Sequence, residues 1–125
     1  MRKLQTQDVF KMARIIRTAD MREQISGTIK KAKQAERRQI REKGKASADR
    51  LIENVGIEIL MSVLDACGNP EVERQVYDLL GGVAEKKPEE IKTQSFDATV
   101  ELIKEIAKEN NMKNFFSAAG KLQLK

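Results

Sequence analysis

Apolar residues begin to recur at helical spacing at Val9, and with Phe10, Met12, Ala13, Ile15 and Ile16 they form a wide face. Thr6 is placed to cap free backbone N–H groups and Asp8 sits near the positive end of the helix dipole, so the pattern predicts a helix over 6–18 with one buried side. From Asp20 to Lys45 the apolar positions thin to Met21, Ile25, Ile29, Ala32, Ala35 and Ile40, set among Lys, Arg, Gln and Glu. Gly27 and the run Lys43-Gly44-Lys45 are candidate breaks, because glycine costs about 1 kcal/mol relative to alanine inside a helix. The stretch 28–46 is therefore expected to be either an exposed helix or a mobile excursion.

Regular packing resumes after Ser47, a candidate N-cap, where Leu51, Ile52, Val55, Ile59, Leu60, Val63, Leu64 and Cys67 carry one face along what should be the central helix. Cys67-Gly68-Asn69-Pro70-Glu71 punctuates the chain: Gly68 suits a left-handed C-terminal position, Asn69 an N-cap and Pro70 a first helical turn. The next helix turns Val72, Val76, Leu79 and Leu80 inward and is expected to end at Gly81-Gly82. Pro88 to Ile91 reads as a single turn, and Ser95 can cap a helix with Phe96, Val100, Ile103 and Ile106 or Ala107 on its inner side, closed by Asn110-Asn111. A last helix runs from Met112 to Ala119, followed by Leu122 and Leu124. Neither repeats nor strand alternation appear, so the expected fold is all-α: one compact domain over 1–125 with about five to seven helices.

Composition narrows the chemistry. The chain is 34% charged and only 4% aromatic, as in helix-rich proteins, and it has one cysteine and no histidine. An internal disulfide, a zinc site of the usual Cys/His kind, and Ser-His or Cys-His catalysis are all impossible, leaving only lysine or carboxylate chemistry open. Gly81-Gly82-Val83-Ala84-Glu85-Lys86 lacks the spacing and the preceding strand of a phosphate loop. Cys67, at the end of an apolar helix, reads as a small packed hydrophobe. A non-enzyme without metal or cofactor is expected. Met1-Arg2-Lys3-Leu4-Gln5 has no apolar run after its basic residues, which points to a cytoplasmic protein without export signal or membrane anchor.

The net charge of +5 is local. Between Thr28 and Arg50 nine Lys or Arg face three acids, so this segment carries +6 and the remainder −1. Its densest part is Lys30, Lys31, Lys33, Arg37, Arg38 and Arg41. Three readings stand: a solvated face or mobile segment, a dock for an acidic protein, or a phosphate-binding patch whose affinity would fall steeply with salt. No interleaved aromatics or nucleic-acid module signature accompany it. Adjacent Phe115 and Phe116 either both pack within the chain or leave one ring as a partner contact.

Four phrases, in order, resemble a known family. They are Leu4-Gln5-Thr6-Gln7-Asp8-Val9-Phe10-Lys11-Met12-Ala13-Arg14-Ile15-Ile16, Asn69-Pro70-Glu71-Val72-Glu73-Arg74-Gln75-Val76-Tyr77-Asp78-Leu79-Leu80, Lys87-Pro88-Glu89-Glu90-Ile91-Lys92 and Asn114-Phe115-Phe116-Ser117-Ala118-Ala119-Gly120-Lys121-Leu122. Together they are similar to the tail assembly chaperones of long-tailed (siphovirus-type) phages and prophages of Gram-positive bacteria, although the basic stretch 28–46 departs from that pattern. The resemblance implies a cytoplasmic helper, absent from the mature virion, that coats the tape measure protein and lets tail tube protein assemble around it. It also implies self-association, and a longer frameshifted product whose slippage would fall near Gly120-Lys121. Phe10, Met12, Ile16, Phe115, Phe116 and Leu122 are the candidate partner contacts. A basic nucleic-acid-binding module is the alternative, and a structural tail component a weaker third reading.

Overall fold

A computed structural model describes residues 1–122, and among these the chain forms seven α-helices and no strand. In order they are α1 (Thr6–Ala19), α2 (Arg22–Lys43), α3 (Lys45–Asp65), α4 (Pro70–Ala84), α5 (Pro88–Thr93), α6 (Phe96–Glu109) and α7 (Met112–Lys121), with a 3-10 turn at Ala66–Gly68 between α3 and α4. Helices α2 and α3 form an antiparallel hairpin joined at Gly44. The inner half of α3 also packs on α6 and α7, α1 lies across α4 and α7, and α5 folds back on α4. One continuous apolar core joins Met12, Ile15 and Ile16 of α1 to Ile59, Leu60 and Val63 of α3, Val72 to Val83 of α4, and Phe115 and Phe116 of α7.

Most boundaries have local causes. Asn69 accepts a hydrogen bond from the Glu71 N–H and is followed by Pro70, and Ser95 accepts from Ala98, so α4 and α6 start at the expected caps; Asn111, expected to close α6, accepts from the Asn114 N–H and caps α7. Elsewhere the structure corrects the expectation. Helix α1 is capped at Gln5, not Thr6, and Asp8 reaches back to accept from the Gln5 N–H at 2.8 Å. Helix α3 starts two residues before Ser47, at Lys45, because Gly44 takes φ +94 and makes the hairpin turn itself. Gly68 is not left-handed; it ends the 3-10 turn.

Gly27 does not break α2. Ile25 and Ile29 flank it and are both buried, and burying two isoleucines, at about 1.5–3 kcal/mol each, outweighs the glycine penalty of about 1 kcal/mol. Gly81-Gly82 does not end α4 either; the helix continues to Ala84 and closes at Glu85, which takes φ +61. Gly81 serves close approach instead, since a Cβ there would lie 2.8 Å from the Lys86 carbonyl oxygen, where the chain folds back into α5.

Residues 1–5 strap the bundle. The Arg2 N–H donates to the Val83 carbonyl at 2.9 Å and the Leu4 N–H to the Asn110 side chain at 3.1 Å, tying the ends of α4 and α6 together. The Arg2 guanidinium holds the fully buried Asp8 carboxylate with contacts of 2.5 and 3.0 Å. Burial pushes the Asp8 carboxyl up, but hydrogen bonds from Arg2 and Gln5 and the charges of Arg2 and Lys11 outweigh it and hold the group below its usual range.

The far part of the α2–α3 hairpin stands apart from this core. Only Met21, Ile25 and Ile29 lead from the start of the hairpin into the continuous core, and α3 joins it from Val55 onward. Ala32, Ala48 and Ile52 are buried outside it, with Ala32 and Ile52 beside Met112 and Phe116 of α7. Beyond Glu36, whose carboxylate pairs with Lys113 of α7, α2 runs on the order of 10 Å from residue 37 to 43 as part of a two-helix arm. Such an arm opens more cheaply than the bundle. Limited trypsin digestion should make its first cut between residues 41 and 46, at the tip around Gly44; a first cut within α1 or α7 would contradict this description.

Candidate partner-binding surface

Of the two alternatives for 28–46 the structure shows the exposed helix: α2 turns Ile25, Ile29 and Ala32 inward and leaves Lys30, Lys31, Lys33, Arg37, Arg38 and Arg41 exposed. Among the described residues none of these six forms an ion pair. Glu36, the nearest acid in sequence, points the other way. Its carboxylate receives the Lys113 ammonium at 2.7 Å, pinning α2 to the start of α7 and leaving the outer face uncompensated.

The basic face meets apolar surface at a groove between α2 and α7, with a volume of about 220 Å³. Its floor is Ile25, Ile29 and Phe116; its rim carries Arg22, Lys30 and Lys33 on one side and Lys121 on the other. No acid lines it. Helix α7 is held close to α3 because Gly56 has no side chain: a Cβ there would lie 2.6 Å from the Met112 Cβ. The groove is smaller than the roughly 300–1,000 Å³ of small-molecule sites, so it suits one or two inserted side chains better than a cofactor. A second, wider cleft of about 510 Å³ separates the arm from the α6–α7 turn, but Glu36, Asp49 and Glu53 there oppose Arg50 and Lys108. Mixed signs favour no class of ligand.

Of the six apolar partner contacts expected from the resemblance, four are core. Met12 and Ile16 are fully buried, Phe115 and Phe116 nearly so, and the two rings pack edge to face with centroids 5.4 Å apart. Neighbouring positions on α7 can both be covered because α1, α2 and α3 surround the helix. Leu122 is half-buried against the core. Only Phe10 is exposed, at 48%, about 160° around α1 from Met12. Phe96, expected on the inner side of α6, is 64% exposed just after the Ser95 cap, and Thr99 takes the buried position instead. Leu124 lies outside the described residues.

The residues that build the groove were only half visible in the sequence. Lys30 and Lys33 belong to the charge run, but Arg22, Ile25 and Lys121 gain meaning only once α7 lies beside α2. Cys67 is half-buried and contacts the Val63 carbonyl; burial and then Glu73 push its thiol up, away from the thiolate that a nucleophile or metal ligand requires. Among the described residues no group of three Cys, Asp or Glu side chains could hold a metal ion, and no helix is long and apolar enough to cross a membrane. Compared with known proteins, the chain matches no family model, no curated protein and no solved structure.

Proposed function

We propose that this chain is a non-catalytic tail assembly chaperone of a long-tailed phage or prophage, which binds the tape measure protein in the host cytoplasm and keeps it competent for tube assembly. One observation supports the reading above others. The four phrases that carry the resemblance lie far apart in sequence, yet they fall on α1, α4, α5 and α7, and these pack together: α1 on α4 and α7, α5 on α4. The quoted phrases thus fall on helices in contact with one another, within a resemblance that covers the N-terminal helix and most of the chain from residue 51 onward. The departing stretch 28–46 falls on α2 and the start of α3, outside those four helices.

A chaperone for a long helical client needs open surface more than an enclosed pocket, and the apolar-floored groove beside the arm supplies it. Coexpression tests the function. The long coiled-coil protein encoded beside this gene should become soluble and co-purify with this chain; a client that stays insoluble and does not co-purify would overturn the proposal.

The second reading, a nucleic-acid-binding module, is favoured by the six exposed cations of α2 that lack ion pairs. It expects duplex or single-stranded DNA to bind at low salt and to dissociate steeply as salt rises. Binding no stronger than that of a variant with Lys30, Lys31, Lys33, Arg37, Arg38 and Arg41 neutralised would remove it.

A further inference from the structure

We propose that the α2–α7 groove receives an acidic amphipathic helix of the partner: about three turns, with an apolar stripe flanked by Asp and Glu. The inference rests on reading the chain as a binding protein and names the chemistry of what it binds. Arg22 and Lys33 are eleven residues apart on one helix, so the rim spans about 16 Å, the length of three helical turns. Four cations surround an apolar floor with no acid among the lining residues, so a neutral or basic segment would leave their charge uncompensated where the groove is covered. The aliphatic stems of Lys30 and Lys33 extend the apolar wall while their ammonium groups stay in water, which matches a helix carrying Leu or Ile at its centre and carboxylates at its edges.

Other occupants fit less well. Nucleic acid would meet the cations, but the aromatic ring at the floor, Phe116, is 1% exposed and packed edge to face on Phe115, so it offers no face for a base to stack on. A small molecule would find the volume short.

Two variants test the groove without touching the core. Lys30→Glu/Lys33→Glu reverses two exposed rim charges. Gly120→Leu puts a side chain at the groove wall, where a Cβ meets nothing within 4 Å, and leucine favours the helix over glycine. The probes are fluorescent 18-residue peptides read by anisotropy: an acidic amphipathic helix, a scramble of identical composition, and a version with Lys replacing every acid. A DNA oligonucleotide of equal charge is the fourth probe.

The acidic amphipathic peptide should bind, weaken as salt rises, and lose at least tenfold in affinity in both variants, while thermal melting stays as in the parent. Equal binding of the scramble or the Lys version would overturn the proposal, as would tighter binding of the oligonucleotide or undiminished affinity in both variants. If no peptide binds and the parent is a dimer that the variants split, the occupant is a second copy and the proposal fails. Client solubility in coexpression is a separate readout: peptide failure with client rescue removes this inference alone, whereas peptide binding without client rescue removes the chaperone function alone.

Discussion

Phe116→Ala should destabilise the protein by about 3–5 kcal/mol, the range for removing a fully buried aromatic ring. The ring is 1% exposed, touches Phe115 edge to face, and forms the floor between α2 and α7 that also holds Ile25 and Ile29. Its loss leaves a void that the surrounding helices cannot close, because α7 is already pressed onto α3 at Gly56. Against a total stability of roughly 5–15 kcal/mol for a domain of this size, the variant should melt far below the parent or fail to fold at working temperature. Phe10→Ala is the internal control: at 48% exposure it should change stability by less than about 1 kcal/mol. Chemical denaturation of both variants decides the matter, and equal effects would mean that α7 is not packed as described.

Arg2→Ala should cost about 2–3 kcal/mol at neutral pH. Removing one partner of a fully buried pair typically costs about 3–5 kcal/mol, and the lower figure reflects the 19% exposure of the Arg2 side chain, which lets water share the charge. In the parent, Asp8 titrates below its unfolded value of about 4, so its contribution is present above that pH and is lost as pH falls through the lower folded value. In the variant burial still raises the Asp8 pKa while the hydrogen bond and charge of Arg2 that lowered it are gone, so the pKa lies above that of the parent and the carboxylate contributes less stability at neutral pH, a difference that protonation removes. The gap between parent and variant should therefore be smaller at pH 3 than at pH 7, closing as the Asp8 carboxylate becomes protonated first in the variant. A gap constant across that range would show that the loss came from the backbone strap and not from the buried charge.

Both predictions concern residues whose roles were only partly legible in the sequence. The starts of α4 and α6 were legible because Asn69-Pro70 and Ser95 state their caps within a few residues, whereas Asn111, which caps α7, read as the end of α6. The inner faces of α1 and α4 were legible because Met12, Ile15 and Ile16, and Val72, Val76 and Leu79, repeat at helical spacing on wide stripes. Helix α2 was not, because its stripe is narrow and its docking depends on α3 and α7 beside it. Asp8 looked like an ordinary dipole partner; only the strap that brings Arg2 over it makes it a buried ion. Glycines misled where their purpose is contact: Gly81 reads as a terminator but exists to let Lys86 approach.

The candidate surface shows the same division. Charge density on 28–46 was plain from the sequence, while the apolar floor beneath it joins Ile25 and Ile29 to Phe116 from the opposite end of the chain. Four apolar residues expected as contacts became core because the bundle closes around α1 and α7. The exposed surface proposed for partner recognition therefore lies on the basic face of α2 and not at the ends of the chain.

On the proposed function, the most direct measurement is the soluble fraction of a tape measure protein encoded beside this gene, coexpressed with the parent chain or with Lys30→Glu/Lys33→Glu once thermal melting has shown the two to be equally stable. A client that is soluble and co-purifies with the parent, but is insoluble with the variant, is the predicted result. A client equally soluble with both, or insoluble with both, would contradict a binding protein that works through the basic groove of α2 and α7.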